Sequence, residues 1–142
     1  MFAAIFPGQG SQSVGMMKDL YESSDRIRDL YDIASSVLDY DLWELTASDS
    51  SSKLNDTVYT QPAMLVAGVA SWESYISRFS LLPQYMAGHS LGEYSALVCS
   101  GVVNFTDALK IVQTRAKYMA EAVPTNSGAI AAIIGSTDKD VI

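Results

Sequence analysis

Residues 86–98 read MAGHSLGEYSALV and place Ser90 between two glycines, Gly88 and Gly92. One interpretation is a capping box, in which Ser90 and Glu93 each bond a free backbone N–H at the start of a helix. That interpretation gives the two glycines no role. The alternative is a nucleophile elbow, a tight strand-to-helix turn that carries a reactive serine and needs small residues two positions before and after it. The two interpretations are compatible, because the residue that opens a helix can also carry the reactive oxygen.

The sequence on both sides of this turn favours the elbow. Residues 84–87 are predicted to form a short strand that runs into the turn, and residues 91–100 a helix of mainly small residues that follows it. The free N–H groups and the positive dipole end of that helix stabilise negative charge beside Ser90. The backbone N–H of Leu91 is therefore the expected donor to an oxyanion.

A second glycine-rich turn, FPGQGSQ at residues 6–12, follows a strand predicted at residues 2–6. It is not a dinucleotide fingerprint, because the third glycine is missing, and not a P-loop, because the Lys-Ser/Thr pair is missing. It is either a simple turn or a loop in which Gly8 and Gly10 expose the backbone N–H of Gln9 as a second oxyanion donor.

The remaining chain is predicted to alternate between helices, loops and one more strand. Two helices are predicted within 16–40, with Ser23 or Ser24 capping the second, followed by a short helix at 41–45 and a surface loop at 46–55. Thr60 is predicted to cap a long helix with Pro62 in its first turn. A further helix is predicted to begin at Thr106 or Asp107 and to end before Pro124, and a buried strand is predicted at 129–135. Residues 63–70, AMLVAGVA, are apolar on every side, so the long helix should be central. The order of strands and helices predicts an α/β fold with a mostly parallel sheet.

Arg115 is the charged residue that most needs an explanation. The polar face predicted for the helix that carries it consists of Lys110, Gln113, Thr114, Lys117 and Glu121. The predicted apolar arc consists of Ala108, Ile111, Val112, Tyr118 and Met119. Arg115 falls in the middle of the apolar arc. A guanidinium that points inward needs an anionic partner. That partner is either an Asp or Glu side chain in a structural ion pair, or the carboxylate of a substrate.

The general base that a serine nucleophile requires is harder to place. His89 is the only histidine, but neighbouring side chains diverge at such a turn, so we expect it to pack or hydrogen-bond beneath the elbow. The base is then expected outside these residues. A helix predicted to start at Thr137 or Asp138 would stop within its first turn, which also leads us to expect the front part of a longer chain.

Composition and charge exclude several classes of protein. The chain has 142 residues, of which 49% are hydrophobic and 18% charged, as expected for one globular domain. Its net charge of −7 argues against a nucleic-acid partner. The single cysteine, Cys99, excludes an internal disulfide and is predicted to be a packed thiol. No signal peptide or membrane helix is predicted, so a cytoplasmic location is expected.

Taken together, these motifs resemble malonyl-CoA:acyl carrier protein transacylase, the acyltransferase family of bacterial type II fatty acid synthesis. The resemblance is carried by FPGQGSQ at 6–12, GHSLGEYSALV at 88–98, VQTRAKYMAEAVP at 112–124 and GAIAAIIG at 128–135. It runs over essentially the whole chain. The resemblance implies an α/β-hydrolase-like, patatin-related core with an inserted ferredoxin-like subdomain. Residues 1–127 would then be the N-terminal part of the core, and residues 128–142 the start of the subdomain.

The resemblance also implies a role for each candidate site residue. Ser90 would be the nucleophile that becomes malonylated, the backbone N–H groups of Gln9 and Leu91 would bind the oxyanion, and Arg115 would pair with the malonyl carboxylate. The malonyl group would pass from malonyl-CoA to the phosphopantetheine thiol of acyl carrier protein, with no metal or redox cofactor. The histidine base of the family lies downstream of the subdomain insertion.

Two other functions fit parts of the sequence. A serine hydrolase or thioesterase would use the same elbow with water as the acceptor, but it would not explain an inward arginine. A non-catalytic acyl-carrier-binding module would keep the fold without a base. Because acyl carrier protein is acidic, any docking surface on this acidic chain must be a local basic patch, for which Lys110 and Lys117 are candidates.

Overall fold

The computed structural model describes residues 1–123, 135 and 137–140. Within these residues the chain forms two β-strands, six α-helices and one 3-10 turn. They are β1 (Ala3–Phe6), α1 (Lys18–Ser23), α2 (Asp25–Leu38), α3 (Leu42–Ala47), α4 (Thr57–Arg78), β2 (Tyr85–Gly88), α5 (Gly92–Cys99), α6 (Phe105–Glu121) and the 3-10 turn Asp138–Asp140. The predicted α/β class is confirmed. The helix predicted to end before Pro124 does so, because α6 ends at Glu121. The strand predicted at 129–135 and the subdomain predicted from residue 128 fall largely or wholly outside the described residues.

The two strands pair in parallel, with Ala3 opposite Tyr85 and Phe6 opposite Gly88. The pairing continues past the strand, because the backbone N–H of His89 donates to the carbonyl of Phe6 at 3.0 Å. Parallel strands end at the same edge of a sheet. The turn after β1, which contains Gln9, therefore lies beside the turn after β2, which contains Ser90.

The core is built around α4, as its apolar sequence predicts. Every residue from Thr60 to Ala70 is buried, and the helix packs against α2, α5 and α6. Gly68 allows α5 to approach closely, since a Cβ atom there would lie 2.8 Å from the Oγ atom of Ser95. A helix that is apolar all round is stable only when other elements cover it on all sides.

The predicted N-cap of α4 is wrong by four residues. Asp56, not Thr60, is the N-cap, and its side chain accepts a hydrogen bond from the N–H of Val58 at 3.3 Å. The hydroxyl of Thr60 instead donates to the buried carbonyl of Leu54 at 2.5 Å. Pro62 therefore lies in the second turn of the helix, where its missing N–H removes one helical hydrogen bond.

Three other element boundaries differ from the prediction. Asn104, not Thr106 or Asp107, caps α6 and accepts from the N–H of Thr106 at 2.9 Å. Ser24 does precede α2, but its side chain makes no capping bond. The loop predicted at 46–55 is too long at its start, because Thr46 is buried inside α3. No helix of the described chain is both long and apolar enough to span a bilayer.

Candidate active site

Ser90 stands in a strained turn between β2 and α5. Its φ of 53° lies in the left-handed region, which residues with a side chain seldom adopt. The N–H of Glu93 donates to the backbone carbonyl of Ser90 at 3.1 Å, and no side chain caps α5. The capping box is therefore not formed. The Oγ atom of Ser90 remains available for another partner.

The two glycines around Ser90 are required by close backbone contacts. A Cβ atom on Gly88 would lie 1.9 Å from the carbonyl carbon of Gly92. A Cβ atom on Gly92 would lie 2.1 Å from the carbonyl oxygen of Phe6, at the end of β1. Real Cβ atoms do not come this close to backbone atoms, so the requirement for small residues at both positions is confirmed. This geometry is that of a nucleophile elbow.

The loop after β1 packs directly against this elbow. A Cβ atom on Gly8 would lie 2.5 Å from the carbonyl oxygen of His89, so the two turns touch through their backbones. The side chain of Gln9 donates to the hydroxyl of Thr57 at 3.0 Å. Within the described residues, the backbone N–H groups of Gln9 and Leu91 donate to no backbone acceptor. The part of the chain that the structure describes also places no side-chain acceptor on either N–H group.

Arg115 reaches the serine from α6. Its Nη2 atom donates to the Oγ atom of Ser90 at 3.1 Å, and its Nη1 atom donates to the Oε1 atom of Gln61 at 2.5 Å. The guanidinium carbon also lies 5.6 Å from the ring centre of Tyr94, in a cation–π contact. The structure therefore brings together two residues that are 25 positions apart and were predicted as separate site residues.

Among the described residues, no carboxylate pairs with the positive charge of Arg115. The ion pairs of the described residues involve Lys18, Arg26, Arg28 and Lys117, and none involves Arg115. The structural ion pair considered from the sequence is absent among these residues. Nor does any group of three or more His, Cys, Asp or Glu side chains there form a metal site. What the described residues offer is a cation within hydrogen-bond distance of a serine hydroxyl, an arrangement suited to an anionic substrate.

The apolar arc predicted for α6 is partly wrong. The buried residues of this helix are Ala108, Leu109, Val112 and Ala116. Three residues that were assigned to the arc are exposed in the described structure, namely Ile111, Tyr118 and Met119. The arc is therefore rotated, and Arg115 lies half-buried at its edge. From this edge the side chain reaches both the buried Gln61 and the exposed Ser90.

The side chain of His89 does not pack beneath the elbow, contrary to the prediction. His89 is exposed, and of its groups only the backbone N–H is engaged as a donor within the described residues. Gly8 packs against the His89 backbone, and a Cβ atom on Gly8 would lie 3.2 Å from Nδ1 of the imidazole ring. The general base of the site is not identified among the described residues.

Sequence reasoning missed Gln61. Its side chain is fully buried on α4, where it accepts from Arg115 and donates through Nε2 to the sulfur of Met119 at 3.3 Å. The available signal was an amide at the start of an otherwise apolar segment, QPAMLVAGVA. A buried amide needs hydrogen-bond partners, and here one of those partners is the arginine of the site.

Known proteins are similar to this chain in sequence and in structure. A malonyl CoA-acyl carrier protein transacylase of Salmonella typhimurium is 49% identical over 99% of this chain and 45% of its own length. The crystal structure of a malonyl-CoA:acyl carrier protein transacylase from Xanthomonas oryzae matches 99% of this chain and 45% of its own, at 44% identity and a TM-score of 0.92. A further match is a chain of a solved complex described as a type II PKS acyl-carrier protein in complex with its malonyl-transacylase. The match has 50% identity and a TM-score of 0.82, and it covers 87% of this chain and 40% of that chain.

The chain thus spans about half the length of the relatives it matches. The family model for the acyl transferase domain matches residues 3–139, which include both glycine-rich turns, Gln61 and Arg115. A match of this extent decides the family: the chain belongs to the acyl transferase domain family.

Proposed function

We propose that this chain is part of an enzyme that transfers a malonyl group from malonyl-CoA to the phosphopantetheine thiol of acyl carrier protein, for fatty acid synthesis. The observation that carries the proposal is the 3.1 Å contact between Arg115 Nη2 and Ser90 Oγ. It places next to the proposed nucleophile a cation that no described carboxylate pairs with. Relatives that are 49–50% identical over the chain are named for this activity, which supports the same assignment here.

In the proposed reaction the Oγ atom of Ser90 attacks the thioester carbonyl of malonyl-CoA. The backbone N–H groups of Gln9 and Leu91 bind the oxyanion that forms, and collapse of this intermediate expels CoA as a thiolate. The phosphopantetheine thiol then attacks the malonyl ester of Ser90, so that malonyl carrier protein leaves and the hydroxyl is restored. In the family that this chain resembles, a histidine takes the proton from the serine hydroxyl and later from the thiol. That histidine is expected outside the described residues.

Arg115 is proposed to bind the free carboxylate of the malonyl group through the two parallel bonds that a guanidinium can donate. One methylene separates this carboxylate from the thioester carbon that Ser90 attacks. A cation within hydrogen-bond distance of the nucleophile suits such a short acid. It gives no advantage to acetyl-CoA, which has no second carboxylate.

The finer features of the fold are proposed on the same basis. A parallel strand pair with a nucleophile elbow at its carboxyl end supports an α/β-hydrolase-like, patatin-related core, with residues 1–127 as its N-terminal part. The ferredoxin-like subdomain is proposed to begin at residue 128. Lys110 and Lys117, both exposed on α6, are proposed to contact the acidic carrier protein.

Intact-mass spectrometry of the natural full-length protein, before and after brief mixing with malonyl-CoA, tests the proposal. We expect one malonyl adduct that is absent from Ser90→Ala and that is lost, with formation of malonyl carrier protein, when carrier protein bearing phosphopantetheine is added. An adduct lost equally fast in buffer would instead indicate a hydrolase or thioesterase. Carrier binding without any adduct would indicate a non-catalytic module, and either result would overturn the transferase.

A further inference from the structure

A chain of hydrogen bonds ends at Ser90 and includes two residues without an assigned role, Met119 and Gln61. It runs from the sulfur of Met119 to Nε2 of Gln61, from Oε1 of Gln61 to Nη1 of Arg115, and from Nη2 of Arg115 to Ser90. Gln61 is fully buried, whereas Met119 is 43% exposed. Gln61 lies on α4, whereas Arg115 and Met119 lie on α6, so the chain of bonds also links two helices that pack together.

The chemistry of Arg115 determines what its buried partner can be. A guanidinium has five N–H donors and no acceptor, so the atom that faces it must be an acceptor. A carboxylate there would form an ion pair and cancel the charge that a substrate acid needs. The amide oxygen of Gln61 accepts the hydrogen bond without adding a negative charge. It therefore holds the arginine in place and leaves its charge available.

The sulfur of Met119 determines which way the amide is turned. An amide can present either its oxygen or its NH2 group, and the NH2 group would repel the guanidinium. Because a thioether accepts but cannot donate, Met119 fixes the NH2 end of Gln61 on its own side at 3.3 Å. The oxygen is then directed at Arg115. The three side chains thus have one consistent arrangement of donors and acceptors.

We propose that Gln61 and Met119 are positioning residues that hold Arg115 aimed at Ser90 with its charge uncompensated, and that they thereby set the preference for acyl groups with a free carboxylate. The proposal rests on the malonyl-transfer function proposed above and adds to it the residues that control selectivity. Neither side chain is required to touch the substrate. Their effect acts through the direction and the charge of Arg115.

The test measures kcat/KM for acylation of Ser90 by malonyl-CoA and by acetyl-CoA on the same preparation of full-length protein. The fraction of protein that is folded affects both kcat/KM values equally. A purely structural defect therefore leaves the malonyl-to-acetyl ratio of kcat/KM unchanged. Gln61→Glu adds a charge without changing the shape of the side chain, and we expect it to lower the ratio by roughly tenfold to a hundredfold. Gln61→Met removes the acceptor without adding charge and should lower the ratio less.

Met119→Leu tests the role of the sulfur. It also keeps the proposal testable if the substitutions of the buried Gln61 prevent folding. It removes the acceptor from a half-exposed position and should lower the ratio about two- to fivefold. The matched control is Ile111→Leu on the same helix, 46% exposed, which should keep the wild-type ratio. A Met119→Leu ratio equal to the control, or a Gln61→Glu ratio equal to wild type, would overturn the proposal. A wild-type protein that malonyl-CoA does not acylate at Ser90 would overturn the proposed function instead.

Discussion

At the scale of single residues, the conformation of Ser90 is held by its neighbours against its own preference. A side-chain-bearing residue with a φ of 53° carries roughly 1–3 kcal/mol of strain. Gly88 and Gly92 hold the turn because their backbones lie against the atoms that surround it. This part of the site could be predicted from the sequence, since the colliding positions are only two residues from the serine. The hydrogen bond between Arg115 and Gln61 could not be predicted, because it joins residues 54 positions apart.

Replacing Ser90 by Gly and by Ala should measure this strain. Both variants lose the Oγ atom and its bond to Arg115, so their difference reports the backbone alone. We expect Ser90→Gly to have a free energy of unfolding about 1 kcal/mol higher than Ser90→Ala, because glycine adopts positive φ without a steric penalty. At most helical or extended positions glycine is instead the less stable of the two. Urea unfolding of both variants checks the sign, and an alanine variant that is the more stable would refute the strained turn.

At the scale of helices and strands, apolar spacing predicts that an element exists better than where it begins. The spacing located α2, α4, α5 and α6, but α4 and α6 start at capping residues that it did not identify. In both cases an Asp or Asn side chain, Asp56 or Asn104, accepts the N–H two residues later. The sequence instead predicts Thr60 for α4, and Thr106 or Asp107 for α6. Thr60 shows why that choice fails, because its hydroxyl already bonds the carbonyl of Leu54.

The cap of α6 can be tested without disturbing the site at the other end of the helix. Asn104→Ala removes the acceptor for the N–H of Thr106 and should lower the free energy of unfolding by about 1 kcal/mol. Asn104→Asp keeps an acceptor oxygen and also favours the positive end of the helix dipole, so it should be at least as stable as wild type. Thermal unfolding compares the three proteins. Equal losses in both variants would show that Asn104 acts through something other than its cap.

At the scale of the whole molecule, the site depends on how helices pack against a parallel strand pair. The parallel pairing could be predicted from the alternation of strands and helices, and it places both glycine-rich turns at one edge. The rotation of α6 about its own axis could not be predicted. Its sequence offers two overlapping apolar arcs, and packing on α2 and α4 buries Leu109 and Ala116 while Tyr118 stays exposed. Whether Arg115 points at Ser90 is therefore decided by packing and not by the periodicity of one helix.

The same packing buries three groups that ionise only at high pH. Burial raises the pKa of the Cys99 thiol to about 12, and it also raises the pKa of the phenols of Tyr31 and Tyr40. Each of these groups is neutral when protonated. The unfolded chain releases the proton first, near pH 9 for cysteine and pH 10 for tyrosine, so the unfolded state gains an advantage as the pH rises. Their contribution to stability is fully present below pH 9 and is lost progressively above it.

Tyr31→Phe should therefore make the protein less sensitive to alkali. Each buried group that ionises only in the unfolded state lowers the free energy of unfolding by up to about 1.4 kcal/mol per pH unit, so removing one phenol should reduce the slope above pH 10 by about that amount. Near pH 7 the variant should differ little from wild type in stability, because within the described residues the buried Tyr31 hydroxyl faces the side chain of Thr46 without a well-formed hydrogen bond. Urea unfolding from pH 8 to pH 11 gives both quantities, with the exposed Tyr85→Phe as the matched control. If Tyr31→Phe and Tyr85→Phe showed the same slope, burial of the Tyr31 phenol would not be a source of alkaline unfolding.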